Sequence, residues 1–199
     1  ESAALWSDLS QVASNNPYAF IREPRSAAEI AEVSPSNRPI AWPYSKLMVA
    51  NPVVNQGAAF IITSAAQARA AGIPEDRWIH VGPGAAANEA RDWVSRERYD
   101  QSLAQDSVLE SVLNQAGLSG PQIDLVELYS CFPCVPKMAQ RSLQMAKDRA
   151  ISVTGGLTFF GAPLNNYMTH AIAATVLRLR VKPSACALVY GQGEFVTKH

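Results

Sequence analysis

The side chains best suited to chemistry sit where the chain's pattern passes from strand to loop. Cys131-Phe132-Pro133-Cys134 spaces two thiols as in dithiol–disulfide exchange. A thiol near the start of a helix is expected to gain thiolate character, which would make Cys131 a nucleophile. Tyr129, two residues earlier, can donate a hydrogen bond or act as an acid. His170 can move a proton near neutral pH. Asn165 and Asn166 can present amides to a carbonyl, or simply cap the helix that carries His170. Gly155-Gly156, Gly161 and Gly191-Gln192-Gly193 let backbone approach a ligand and offer amides to an oxyanion. The plainer alternative is that these glycines only make turns. Zinc would need two ligands beyond the cysteine pair, and His80, His170 and His199 have no paired spacing, so no metal is expected.

The elements that must position these residues alternate between strand and helix. Residues 5–13 keep a helical period that stops at Asn15-Asn16-Pro17. Ser26 and Glu29 form a capping box for a short helix. Otherwise residues 1–45, rich in proline, asparagine and serine, read as an excursion from the core. The apolar run Ala58 to Ile62 predicts a buried strand, followed by a helix over 64–71 that ends at Gly72. A further strand is predicted over 77–81. Ser102 caps a helix, with Gln105 completing a capping box; it is striped by Leu103, Val108, Leu109, Val112, Leu113 and Ala116, with Gly117 at its end. Strands are predicted over 123–128, 151–153, 185–190 and 194–198, and helices over 133–146 and 166–180. This alternation argues for an α/β layered fold. Ligands of open α/β sheets gather at loops leaving strand C-termini. The turns after residues 128, 153 and 190 are such loops.

Composition narrows the function class. Charged residues make 17% of the chain and the net charge is +0, which sets aside nucleic-acid binding. No apolar run approaches the ~20 residues that span a bilayer. Three cysteines without a secretory signal suggest a reducing, cytoplasmic setting. The chain opens at Glu1 directly on a helical pattern and reads as a fragment.

Four stretches carry a resemblance in common order. Asn55-Gln56-Gly57-Ala58-Ala59 resembles the Asn-Asp-Gly-Ala-Ala of thiolases. Val126-Glu127-Leu128-Tyr129-Ser130-Cys131-Phe132 resembles the strand that ends in Asn-Glu-Ala-Phe. Gly155-Gly156 followed by Gly161-Ala162-Pro163 resembles Gly-Gly and then Gly-His-Pro. Gly191-Gln192-Gly193 resembles the end of Cys-x-Gly-Gly-Gly-Gln-Gly. Tyr-Ser-Cys-Phe-Pro and Asn165-Asn166-Tyr167-Met168-Thr169-His170 are similar to stretches of thiolase-like proteins labelled acetyl-CoA acetyltransferase.

The resemblance implies a fold of two similar halves, a mixed sheet covered by helices, with the site between the halves. This chain would hold about one half. Residues 1–45 would be a loop-domain-like segment, 46–75 the last strand–helix unit of the N-terminal half, and 76–199 the C-terminal half. Partners implied are the missing N-terminal half, a second copy or another subunit, and an acyl-CoA. Coenzyme A thioester is the implied substrate or ligand, with no tightly bound cofactor.

In the family a cysteine of the N-terminal half takes the acyl group, a histidine of the other half activates it, and a second cysteine moves the proton. Here the histidine position is Ala162, the asparagine position is Tyr129, and the second cysteine falls at Ala187, one residue past Cys186. These departures argue against ordinary Claisen condensation. His170, Tyr129 and Cys131 are the candidate catalytic replacements. Gly155, Gly156, Asn166, Gly191 and Gly193 are the candidates for holding the thioester. The protein would be an acyltransferase of thiolase type, or a non-catalytic relative that binds coenzyme A or supports a partner.

Overall fold

A computed structural model describes residues 1–194 and 196–199. Its centre is a parallel pair, β3 (Leu125–Leu128) beside β4 (Ala187–Tyr190), in register from Leu125 with Ala187 to Leu128 with Tyr190. Parallel neighbours need a long crossover. Here it holds α5 (Cys134–Ser142), the four-residue α6 (Gly156–Phe159) and α7 (Tyr167–Val181). The latter packs on both strands. Ahead of the strands, α4 (Leu103–Ala116) packs on α5. Its ends follow the sequence signals: the Ser102 side chain accepts from Gln105 N–H, and Gly117 closes it in the left-handed region at φ 66°.

The first helix corrects the reading of residues 1–45 as an excursion. In α1 (Ser2–Ser14), Leu5, Trp6, Leu9 and Ala13 are buried in one cluster with Leu128, Leu157 and Phe159. The spacing of these residues puts them on a single helix face. Trp6 is fully buried and its Nε1 donates to Thr158 Oγ1 at 2.9 Å. The short α2 (Ala27–Ala31) carries the expected capping box of Ser26 and Glu29 and buries Ile30 against the same cluster. An antiparallel hairpin of β1 (Pro39–Ala41) and β2 (Tyr44–Ser45) was not foreseen.

Several expected strands are absent among the described residues. The run 58–62 has no ladder partner; Ile61 is 90% and Ile62 72% exposed. Apolar composition marks a strand only where a neighbouring strand satisfies its backbone, and none of the described residues does so here. Residues 77–81 end a short 3₁₀ turn, Glu75–Arg77, and continue as coil. Residues 151–153 form no ladder strand, although Leu128 N–H donates to the Ile151 carbonyl at 2.9 Å. Most of the predicted strand 194–198 is turn, with Lys198 bridging Gly193 and Asn88; Phe195 lies outside the described residues. The predicted helix 133–146 stops at Ser142, and Gln144 lies at φ 53°. The helix after Ser64 forms as α3 (Ala65–Ala70).

Candidate functional site

The strand-end turns meet. Tyr129 N–H donates to the Tyr190 carbonyl at 3.1 Å, one step past the last paired residues of β3 and β4. From the turn after β4, Gln192 Nε2 reaches Cys131 Sγ at 3.1 Å. The Cys131 carbonyl accepts from Ala50 N–H at 3.0 Å. Asn51 then bonds the third turn twice: its N–H donates to Leu157, and its carbonyl accepts from Ala162 N–H at 2.9 Å. Buried Ser130 completes the ring, its Oγ accepting from Leu157 N–H at 3.1 Å. Gln56, from the fourth stretch, donates through Nε2 to the Phe160 and Tyr18 carbonyls, both at 2.9 Å.

A buried carboxylate organises this meeting. Glu127 has no exposure, yet it sits in mid-strand between Val126 and Leu128. Oε2 accepts from the backbone N–H groups of Val153 at 2.8 Å and Thr154 at 3.0 Å. Oε1 meets the hydroxyls of Tyr167 at 2.6 Å, Ser152 at 2.9 Å and Thr154 at 3.2 Å. Burial pushes its carboxyl above the ordinary range, while these partners pull the other way. Burial, with Glu127 alongside, holds the Tyr167 phenol well above its ordinary value. Because Oε2 faces two fixed donors, a proton on this carboxyl belongs on Oε1, where a hydroxyl can turn to accept it.

Two comparisons with solved structures match this architecture. A monomeric SCP2-thiolase-like protein type 1 from Mycobacterium smegmatis is 32% identical, with a TM-score of 0.87 over 98% of this chain and 43% of that one. The fold is that of the thiolase superfamily. The dimeric peroxisomal thiolase of Saccharomyces cerevisiae agrees at a TM-score of 0.58 and 13% identity, over 89% of this chain and 47% of its own. The chain thus spans less than half the length of either structure and holds an incomplete thiolase fold. No protein-family model matches the sequence, and a comparison with curated proteins finds no match.

Within the thiolase fold the candidate residues fall into two groups. Tyr129, Cys131 and Gln192 stand together, and the half-buried Tyr129 phenol is raised first by burial and then by Cys131. The Cys131 thiol is pushed up to about 11 by burial and by Cys134. It is therefore protonated at neutral pH, which overturns the thiolate expected from its place near a helix start. His170 stands apart. It is buried on α7 against the Phe160 ring, 5.2 Å between centroids, with Asn166 Nδ2 3.3 Å from its Nε2. Burial lowers its pKa, opposed by a hydrogen bond with the Gln56 backbone. Edge-on contacts of Phe160 with Tyr167 and of Tyr167 with Tyr129 separate the histidine from the tyrosine. Asn166 holds His170 and makes no side-chain cap of α7. Ala162 is buried, with no donor or acceptor on its side chain.

The glycines have other work than offering free amides. Gly155 N–H donates to Ser152 Oγ at 2.9 Å, and Gly156 N–H to Ser152 and Thr154 hydroxyls, both at 3.2 Å. Neither is open to an oxyanion, contrary to expectation. Gly155 sits at φ 108°, where a Cβ would lie 2.5 Å from Ala13 Cβ, so a bare Cα is what lets α1 dock here. Gly191 packs under Met168, a Cβ there meeting Cγ at 3.2 Å. Gly193 N–H donates to the Lys198 carbonyl at 3.0 Å.

Sequence reasoning passed over Glu127, Gln56 and Gln192 as individual residues. The signal for Glu127 was present: a charge inside the short apolar run 125–128 is a buried, partnered carboxylate or a misplaced strand. A cavity of about 680 Å³ lies elsewhere, between α4 and the end of α5, lined by Arg98, Asp106, Glu110 and Arg141. Its open position and mixed charges give no reason to prefer it over the converged turns. No group of side chains among the described residues could hold a metal ion. Among the described residues no helix is long and apolar enough to cross a membrane.

Proposed function

We propose that the protein containing this chain handles acyl-CoA thioesters at the converged turns, without the standard thiolase Claisen route. What carries this reading is the single bonded ring that joins the residue 130, 162 and 192 turns. Those turns lie far apart in sequence, and in a thiolase fold they line one wall of the thioester site. Ala162 supplies neither proton nor hydrogen bond where the family has histidine. Tyr129 and His170 are the remaining groups able to move a proton, and because two rings separate them an acyltransfer or carbon–carbon step would run through one or the other.

A second reading, a non-catalytic coenzyme A-binding or partner-supporting protein, is favoured by Ala162, by the occupied glycine amides and by the protonated Cys131. The other wall of the site would come from the rest of the polypeptide. The exposed run Phe60-Ile61-Ile62 is the surface we assign to that contact, as the closing strand of the N-terminal half within residues 46–75.

Calorimetry and a thiolysis assay with acetoacetyl-CoA on the full-length protein test both readings. Saturable binding with thiolysis at background is expected. Absence of binding defeats the proposal, and rapid thiolysis defeats the claim that the standard route is lost. If turnover of any thioester is found, Tyr129→Phe or His170→Gln should lower kcat by ~10²-fold or more; no turnover with intact binding selects the second reading.

A further inference from the structure

With Cys131 protonated, the proton-moving route through Tyr129 or His170 uses neither cysteine of the pair at the start of α5. We infer that Cys131 and Cys134 form a reversible dithiol–disulfide site that takes small disulfides, such as glutathione disulfide, as oxidant. The arrangement is strand, C-x-x-C, helix. The β3 strand ends at Leu128, Pro133 has already turned into helical conformation at φ −57° and ψ −30°, and Cys134 is the first residue of α5. A hydrogen bond from Val135 N–H to the Phe132 carbonyl at 3.1 Å closes a turn that begins just after Cys131 and contains Cys134. Cys131 lies in the bend that leads into this turn, three residues before Cys134. The proximity is felt electrostatically, since Cys134 is among the groups that raise the Cys131 thiol.

Exposure sets the order of events. Cys134 is exposed and Cys131 only partly so. Cys134, as thiolate, attacks one sulfur of glutathione disulfide and expels one glutathione thiolate, leaving a mixed disulfide. Cys131 then loses its proton to solvent and attacks the Cys134 sulfur, and the second glutathione leaves as thiolate. Two protein thiols are oxidised and one small disulfide is reduced to two thiols. Cys186 is not a competitor for this bond: its thiol contacts the Gln122 carbonyl at 3.6 Å, at the opposite end of the β3–β4 pair. Oxidation also takes Cys131 Sγ from Gln192 Nε2, and so removes the side-chain bond between the turns after β3 and β4. The pair would thereby make the candidate site sensitive to redox state.

The test does not depend on thioester binding. Folded full-length protein is incubated with glutathione disulfide, free thiols are alkylated, and the protein is digested with trypsin. The tryptic peptide 99–137 holds both cysteines and no other. It is expected two hydrogens lighter than its reduced form and unalkylated, and to take two alkyl groups after reduction. Cys131→Ser and Cys134→Ser should each abolish the lighter peptide. A peptide that stays doubly alkylated, or one that stops at a glutathione adduct on Cys134, overturns the inference.

Discussion

Glu127→Ala is expected to destabilise the protein by about 3–5 kcal/mol, through the buried donors it abandons. The Val153 amide loses its acceptor, the Thr154 amide keeps only Ser152 Oγ at 3.1 Å, and the Tyr167, Ser152 and Thr154 hydroxyls lose a shared partner. Those same residues shape the turn that leads to Gly155 and Ala162, so the loss is both energetic and local. Glu127→Gln should cost far less. Its oxygen can take the two amides while its NH₂ faces hydroxyls able to accept.

The two variants also differ in pH dependence. Burial raises the wild-type carboxyl, so the folded state keeps a proton that the unfolded chain has released. That contribution is present below the unfolded value of ~4.3 and is lost as pH rises through the folded value. Wild-type stability should therefore fall with rising pH across that window relative to Glu127→Gln, which lacks the titration. Urea unfolding of all three proteins at a series of pH values measures both effects. Equal stability of Glu127→Ala and wild type would show that the carboxylate does not hold the turn.

Trp6→Ala is the second large effect, about 3–5 kcal/mol for a fully buried tryptophan. The loss goes beyond packing. Trp6 Nε1 donates to Thr158 Oγ1, which itself donates to the Val49 carbonyl at 2.8 Å. One side chain thus ties α1 to α6 and to the segment before Asn51, which bonds both sides of the glycine turn. Leu177→Ala, at a residue 51% exposed on α7, is the control and should change stability by under ~0.5 kcal/mol. A Trp6→Ala protein as stable as that control would place α1 outside the cooperative fold.

The helices were largely readable from the sequence because their signals are local. Ser102, Ser26 with Glu29, and Gly117 act within one turn, and each does in the structure what its residue type dictates; the capping box expected of Ser102 with Gln105 closes only on the serine side, because the Gln105 side chain bonds Ser142 and Tyr190. The strands were less readable because a ladder needs a partner distant in sequence. The apolar run 58–62 has strand composition and no neighbour among the described residues, while 187–190 has β3. The site was legible as a set of turns, and the turns do meet. Their chemistry was not legible residue by residue. Whether an amide is free depends on a hydroxyl such as Ser152, and whether a thiol ionises depends on burial more than on its place at a helix start. The packing of α1 on Gly155 is a contact across most of the chain, with no local mark except the glycine itself.

Determining the full-length protein's structure with bound acetoacetyl-CoA tests the shared-wall claim most directly. The account predicts the thioester carbonyl against the turns that carry Tyr129, Ala162 and Gln192, with the run at Phe60–Ile62 covered by the other half. A ligand seated instead between α4 and α5, beside Arg98 and Arg141, would contradict it.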